Sequence, residues 1–205
     1  MGRLFYIIGK SASGKDAMYR ELMRTEELHF RKLILYTTRP MRDGEENGRE
    51  YFFVTEEQLL QMKSRGMIIE ERDYHTVHGI WSYFTVDDGQ IVWEESDYLG
   101  IGTLESFIKL KEFYGEDRIC PIYMEVEDGE RLCRALQREK KQEHPRYAEM
   151  CRRFLADEED FSEEKLEAAG IKRRFVNDDM DRCLEEIIGY IRENSGLSDK
   201  KEGLE

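Results

Sequence analysis

The run Gly9-Lys10-Ser11-Ala12-Ser13-Gly14-Lys15-Asp16 has the residue types and the spacing to hold a chain of phosphates. Glycines at its first and sixth positions let the backbone come close enough for its N–H groups to surround phosphate oxygens. Lys15 then reaches the outer phosphates, and the position after it ordinarily gives Mg²⁺ a hydroxyl. Here that position is Asp16. Its carboxylate either binds the metal, directly or through water, or sits idle at a helix start where the dipole favours it. The apolar Leu4-Phe5-Tyr6-Ile7-Ile8 precedes the run, and residues 17–23 follow with amphipathic helical spacing. Strand, glycine-rich loop and helix make a P-loop. A nucleoside triphosphate is therefore expected on residues Gly9, Lys10, Ser11, Ala12, Ser13, Gly14, Lys15 and Asp16, with Asp16 as the metal position.

A second candidate lies in residues 37–50, a polar stretch rich in turn residues and broken by Pro40. Arg39, Arg42 and Arg49 share it, and Tyr51 follows. Guanidinium forks hold phosphate bidentately, so two or three on one loop suit a second phosphate group. Alone, the stretch would read as a solvated charged loop.

Composition narrows the partners. The chain has 205 residues, a net charge of −13 and 38% charged residues, with no Lys/Arg run to track a nucleic-acid backbone. No apolar stretch is long enough to span a membrane and the N-terminus is not signal-like, so a cytoplasmic protein with no membrane partner is expected. Met1-Gly2 opens like a myristoylation signal, but Tyr6 stands where Ser or Thr is needed. Cys120, Cys133, Cys151 and Cys183 are scattered and read as free thiols in a reducing compartment. His29, His75, His78 and His144 form no metal pattern.

The remaining elements follow from periodicity and breakers. Strands are expected over residues 33–36, 51–54, 67–71, 98–101, 119–126 and 174–176, with small antiparallel strands in 74–85. Thr55 and Gln58 form a capping box that opens a helix ending near Gly66. Further helices are expected over 87–95, 103–113 and 180–192. Residues 129–169 read as two helices joined by a mobile charged connection around 139–146. The charge runs 138–143 and 157–160 read as solvated helix faces. Such alternation implies a mostly parallel sheet covered on both faces, with the P-loop strand in its middle.

With these motifs in order, the chain resembles the guanylate kinases. The GMP-binding loop of that family matches Thr37-Thr38-Arg39, Arg42, Gly44-Glu45, Gly48 and Tyr51-Phe52-Phe53-Val54, and its adenine-side motif matches Val176-Asn177-Asp178-Asp179. The resemblance covers residues 3 to about 192. It implies an α/β P-loop NTPase three-layer fold with a central parallel sheet, a small GMP-binding β subdomain and a helical lid. One domain over 1–192 is expected: core 1–36, 96–128 and 170–192, acceptor subdomain about 37–90, lid about 130–160, and a frayed tail from 193.

Residue by residue, the resemblance implies that Arg39, Arg42 and Tyr51 hold the GMP phosphate. Glu70 would take the guanine edge, Tyr83 the phosphate and Thr85 the guanine. Lid arginines would come from Arg134, Arg138 and Arg152 or Arg153, and Asn177 would join the ATP site. Magnesium-dependent transfer from ATP to GMP, as a monomer or homodimer, is the activity implied. Three departures stand out. Leu35 replaces a serine and Phe84 a glycine. The family's Asp-x-Asp-x-Gln-Gly aligns with Tyr98-Leu99-Gly100-Ile101-Gly102-Thr103, which carries neither acid. The phosphate clamp is kept while base-reading positions differ. Two alternatives therefore stay open: a kinase of a related acceptor such as ribose 1,5-bisphosphate, whose enzymes also carry Gly-Lys-Asp at the P-loop, and a non-catalytic guanylate-kinase-like binding module.

Overall fold

The computed structural model describes residues 1–76 and 79–195. Its centre is β1 (Leu4–Ile8), five residues with no solvent exposure. Burial on both faces explains why its sequence is continuously apolar. Leu4, Tyr6 and Ile8 point into one core and Phe5 and Ile7 into the other. Each such side chain contributes about 1.5–3 kcal/mol by leaving water.

The chain then forms α1 (Lys15–Arg24), the short strands β2 (Arg31–Lys32), β3 (Tyr36–Thr37) and β4 (Phe52–Phe53), and α2 (Glu56–Ser64). A long hairpin follows, β5 (Ile68–Thr76) and β6 (Gly79–Val86), then β7 (Tyr98–Ile101), α3 (Leu104–Tyr114) and β8 (Ile119–Glu125). Three charged helices, α4 (Asp128–Lys140), α5 (Tyr147–Asp160) and α6 (Glu163–Ala168), lead to β9 (Arg174–Val176) and α7 (Met180–Asn194).

Two sheets result. The first, β2-β7-β1-β8-β9, is parallel at every pairing and has the P-loop strand in the middle, as expected. Helices α1 and α7 cover one face through Met18, Leu22, Cys183, Ile187 and Ile191. Helix α3 covers the other through Leu104, Phe107 and Leu110, with Phe161 and Leu166 beside them. The second sheet, β4-β3-β6-β5, draws all its strands from residues 36–86. The mixed α/β architecture is that of a P-loop NTPase.

Local signals decide several boundaries. The Thr55–Gln58 capping box opens α2 with both reciprocal bonds made, and Gly66, at φ 69°, takes the left-handed turn that ends it. Residues 33–36 do not form the single strand expected. Leu33 N–H still bonds Leu99 O in the first sheet, while Leu35 O already accepts from Phe52 N in the second. This apolar run is where the chain changes sheets. Residues 87–95 form turns instead of a helix. Their polar side chains are used on the crossing segment: Gln90 bonds both backbone groups of Ile34, and Asp88 accepts from Tyr36 Oη at 2.6 Å. Residues 129–169 hold three helices where two were expected. The chain breaks at Phe161, whose ring stacks on Tyr123 at 5.9 Å, and restarts as α6.

His78 and the tail from residue 196 lie outside the described residues. Cys120 and Cys183 are buried free thiols, Cys133 and Cys151 exposed ones. Among the described residues, no helix is long and apolar enough to cross a membrane.

Candidate active site

The loop between β1 and α1 is gripped from behind. A Cβ on Gly9 would lie 2.6 Å from Met124 O and 2.9 Å from Ser13 Oγ, so only glycine lets the chain leave β1 there. Gly14 takes the left-handed conformation, φ 89°, at the start of α1, and a Cβ there would come 2.4 Å from Asn177 Nδ2. That amide donates to Ser13 O at 2.8 Å. Asn177 thus supports the P-loop backbone from the end of β9. Ser13 Oγ is buried and has no hydrogen-bond partner among the described residues, the condition of a polar group that a ligand completes.

Lys15 points into a cavity of about 1390 Å³. Burial pulls its pKa below the ordinary lysine value, against the opposing pull of Asp16 and Asp157. The P-loop contributes Gly9, Ser11, Lys15 and Asp16 to the cavity wall. Across from it stand Leu35, Tyr51, Arg72, Tyr74, Trp81 and Tyr83, and α5 adds Arg152, Arg153 and Asp157. Asp16 is exposed at the helix start. Its carboxylate is a hard oxygen donor of the kind Mg²⁺ takes alongside substrate phosphates, and it lines the cavity with Lys15, so the residue present fits the metal.

The carboxylates of α5 sit on the P-loop itself. Asp157 Oδ2 accepts the Ser11 backbone N–H at 2.8 Å, and Glu158 pairs with Lys10 at 2.8 Å. Between them lies Arg131, with no exposed surface. It donates to Asp128, Asp157, Glu158 and Ser11 O, and its guanidinium stacks 4.3 Å from the Phe154 ring. Residues 157 and 158 were expected on a solvated helix face, and the structure corrects this. They are the anions that hold α4, α5 and the P-loop together. Asp157 occupies a backbone N–H of the kind that binds phosphate, so it competes with a nucleotide. Asp157→Asn is expected to tighten ATP binding by roughly tenfold, about 1.4 kcal/mol, read by calorimetry. Unchanged or weaker affinity would count against this competition.

On the far side, Arg39 is buried and held in place. Glu45 accepts from both its terminal nitrogens, at 3.0 and 2.8 Å, and Tyr83 Oη accepts from Nε at 3.1 Å. Its guanidinium also lies over Tyr51 and Phe53 at 5.5 and 5.4 Å. Hydrogen bonds from Arg39 and from the Arg42 backbone hold the Glu45 carboxyl down at about 2.

The structure brings Lys15, Asp16, Tyr51, Tyr83 and Arg152 to one cavity. Arg39 stands directly behind Tyr83, while Arg42 has an exposed side chain. Glu70 and Thr85 are buried under the cavity wall and bonded to each other at 2.7 Å. Arg134 reaches Asn177 O at 3.1 Å. Arg138 is exposed and lines a smaller adjoining cavity with Ser11, Arg146 and Arg153. Arg152 pairs with Glu149, and Arg153 reaches Ser11 Oγ at 3.2 Å. Sequence reasoning missed Arg72 and Arg131. The only local sign for Arg131 is its four-residue spacing from the buried Ala135 on a helix otherwise rich in exposed charge.

Fold and site together define a P-loop NTPase fold with a small second sheet facing its nucleotide loop. Residues 1–80 match the sequence model of the guanylate kinase family. The chain is 40% identical over 79 residues to the guanylate kinase of Thermotoga maritima, a match covering 38% of this chain and 36% of that protein. It is 32% identical over 141 residues to the chloroplastic/mitochondrial guanylate kinase 2 of Oryza sativa subsp. japonica, covering 65% and 45%. The matched part thus spans less than half the length of these relatives. The crystal structure of guanylate kinase from Anaplasma phagocytophilum superposes with a TM-score of 0.63 at 19% identity, over 100% of this chain and 97% of that one, which is a likeness of fold. In its first 80 residues by sequence, and over its whole length by fold, the chain is similar to guanylate kinases.

Proposed function

We propose that this protein transfers the γ-phosphoryl group of ATP to the phosphate of a nucleoside monophosphate, GMP, giving ADP and GDP. The observation that carries the reading is that the P-loop with Lys15 and the Tyr51–Tyr83 wall, backed by Arg39, face one another across a single cavity. Phosphoryl transfer needs little else, because its catalysis is positioning and charge neutralisation. An oxygen of the acceptor phosphate attacks the γ-phosphorus, and the bond from that phosphorus to the bridging β-oxygen breaks as ADP leaves. A phosphate ester has its second pKa near about 6, so the attacking oxygen is already ionised at neutral pH and needs no general base.

In this reading, Lys15 and the P-loop N–H groups hold the β- and γ-phosphates. Arg39, Arg42, Tyr51 and Tyr83 orient the acceptor phosphate. Arg134, Arg138 and Arg152, on α4 and α5, bring positive charge over the transferring group and exclude water. Asp16 would hold Mg²⁺, which when bound neutralises charge on the transferring phosphates. Residues 37–90 then form the acceptor side and 130–160 the lid, in a protein working in the cytoplasm.

A coupled assay of ADP release over GMP, dGMP, AMP and UMP tests the proposal. ADP release that depends on GMP is the expected result. No turnover with any monophosphate would refute it.

A further inference from the structure

The acceptor side of the cavity carries a cation that the motifs do not account for. Hairpin pairing sets Glu70 opposite Thr85 and Arg72 opposite Tyr83, so these side chains share one face of the sheet. Glu70 is almost fully buried and its carboxylate is already engaged. Oε1 accepts from Thr85 Oγ1 at 2.7 Å, and Oε2 accepts from Arg72 Nε at 2.9 Å. Arg72 Nη2 approaches Oε1 at 3.4 Å, and Nη1 has no hydrogen-bond partner among the described residues. Arg72 lines the cavity beside Tyr51, Tyr74 and Tyr83, whereas Glu70 does not.

The position aligned with the second acid of the Asp-x-Asp-x-Gln-Gly motif is closed as well. A Cβ at Gly100 would lie 2.6 Å from the Tyr6 ring, so Tyr6 fills the space of any side chain there. Both Glu70 oxygens are thus taken and residue 100 has no room for an acid, so neither position offers a free carboxylate to ring N–H or amino groups. A guanidinium with a spare N–H is present in its place.

We infer that Arg72 is the specificity-determining residue of the acceptor pocket, donating to carbonyl oxygen and ring nitrogen on the base, with Glu70 holding the guanidinium from behind. The inference rests on the proposed transfer to a nucleoside monophosphate. An arginine fork matches the O6 and N7 acceptors of a 6-oxopurine and is repelled by the amino donor at that position in adenine. Nothing in this arrangement reads the 2-amino group, so the acceptor class is the 6-oxopurine monophosphates, GMP and IMP alike.

Calorimetric binding of GMP, IMP and AMP, without ATP, tests this independently of turnover. The wild-type protein should bind GMP and IMP within about threefold of each other and AMP at least about tenfold more weakly, the discrimination one bidentate pair supplies. Glu70→Gln should leave the GMP-to-IMP ratio unchanged. The double variant Glu70→Gln/Arg72→Met removes both charges and strands neither. It should lose about tenfold or more in GMP affinity and narrow the gap to AMP, while ATP binding, which reports intact folding, stays the same. A preference for GMP over IMP beyond about 100-fold, a GMP-to-AMP gap that survives the double variant, or no GMP binding would each overturn it. Binding as described with no phosphoryl transfer would overturn only the reaction.

Discussion

Lys15→Met is expected to cut turnover by about 10³-fold, roughly 4 kcal/mol of transition-state stabilisation, while the protein stays folded. The side chain lines the cavity and is mostly removed from water. A cation there acts on the phosphates in a low-dielectric setting, where it is worth far more than on the surface. Methionine keeps the aliphatic length and loses only the charge and its donors. The depressed pKa has a consequence of its own. Lys15 loses its proton at lower pH than an ordinary lysine, so kcat/KM for ATP should fall on the alkaline side before the usual lysine value of 10.5 is reached. A kcat within a few-fold of wild type would show that the P-loop lysine does not face the transferring group.

Arg131→Met is expected to be the most destabilising single change near the site, by about 3 kcal/mol. Arg131 is fully buried and counters three carboxylates, Asp128, Asp157 and Glu158. Removing it leaves Asp157, which is largely shielded from water, without its guanidinium. Asp128 and Glu158 are partly exposed, and solvent limits the cost of stranding them. For a domain of this size the loss should lower Tm by roughly 6–12 °C, measured by circular dichroism melting. Arg134→Met, one turn further along α4 and partly exposed, should cost under about 1 kcal/mol. Equal melting temperatures for the two variants would contradict the role given to Arg131.

The nucleotide half of the site was legible in the sequence because its signals are local. The fully buried Leu4–Ile8 strand, two glycines at fixed spacing and a lysine at the helix start lie within a dozen residues, and each has one structural meaning. The Thr55–Gln58 cap was legible for the same reason. Arg131 and Asp157 were not. Their partners are distant in sequence, Ser11 lying 120 positions from Arg131 and 146 from Asp157. Within a helix of mixed charge, no spacing distinguishes a solvated carboxylate from one folded back on a loop. The Glu70–Arg72 pair was half visible. The alternation of a strand puts both side chains on one face, but only the packing of Tyr6 under Gly100 shows that the neighbouring acid position is closed. The segment 87–95 misled because its helical spacing carried no trace of Gln90 and Asp88 being used on Ile34 and Tyr36.

The most direct test of the account is a ³¹P NMR time course of the protein with MgATP and GMP at equal concentration. The account predicts that ATP signals decline as the two phosphorus signals of GDP appear in step with those of ADP, and that ATP persists when GMP is left out. ATP conversion to ADP and inorganic phosphate without GDP, or no change in either nucleotide, would contradict it.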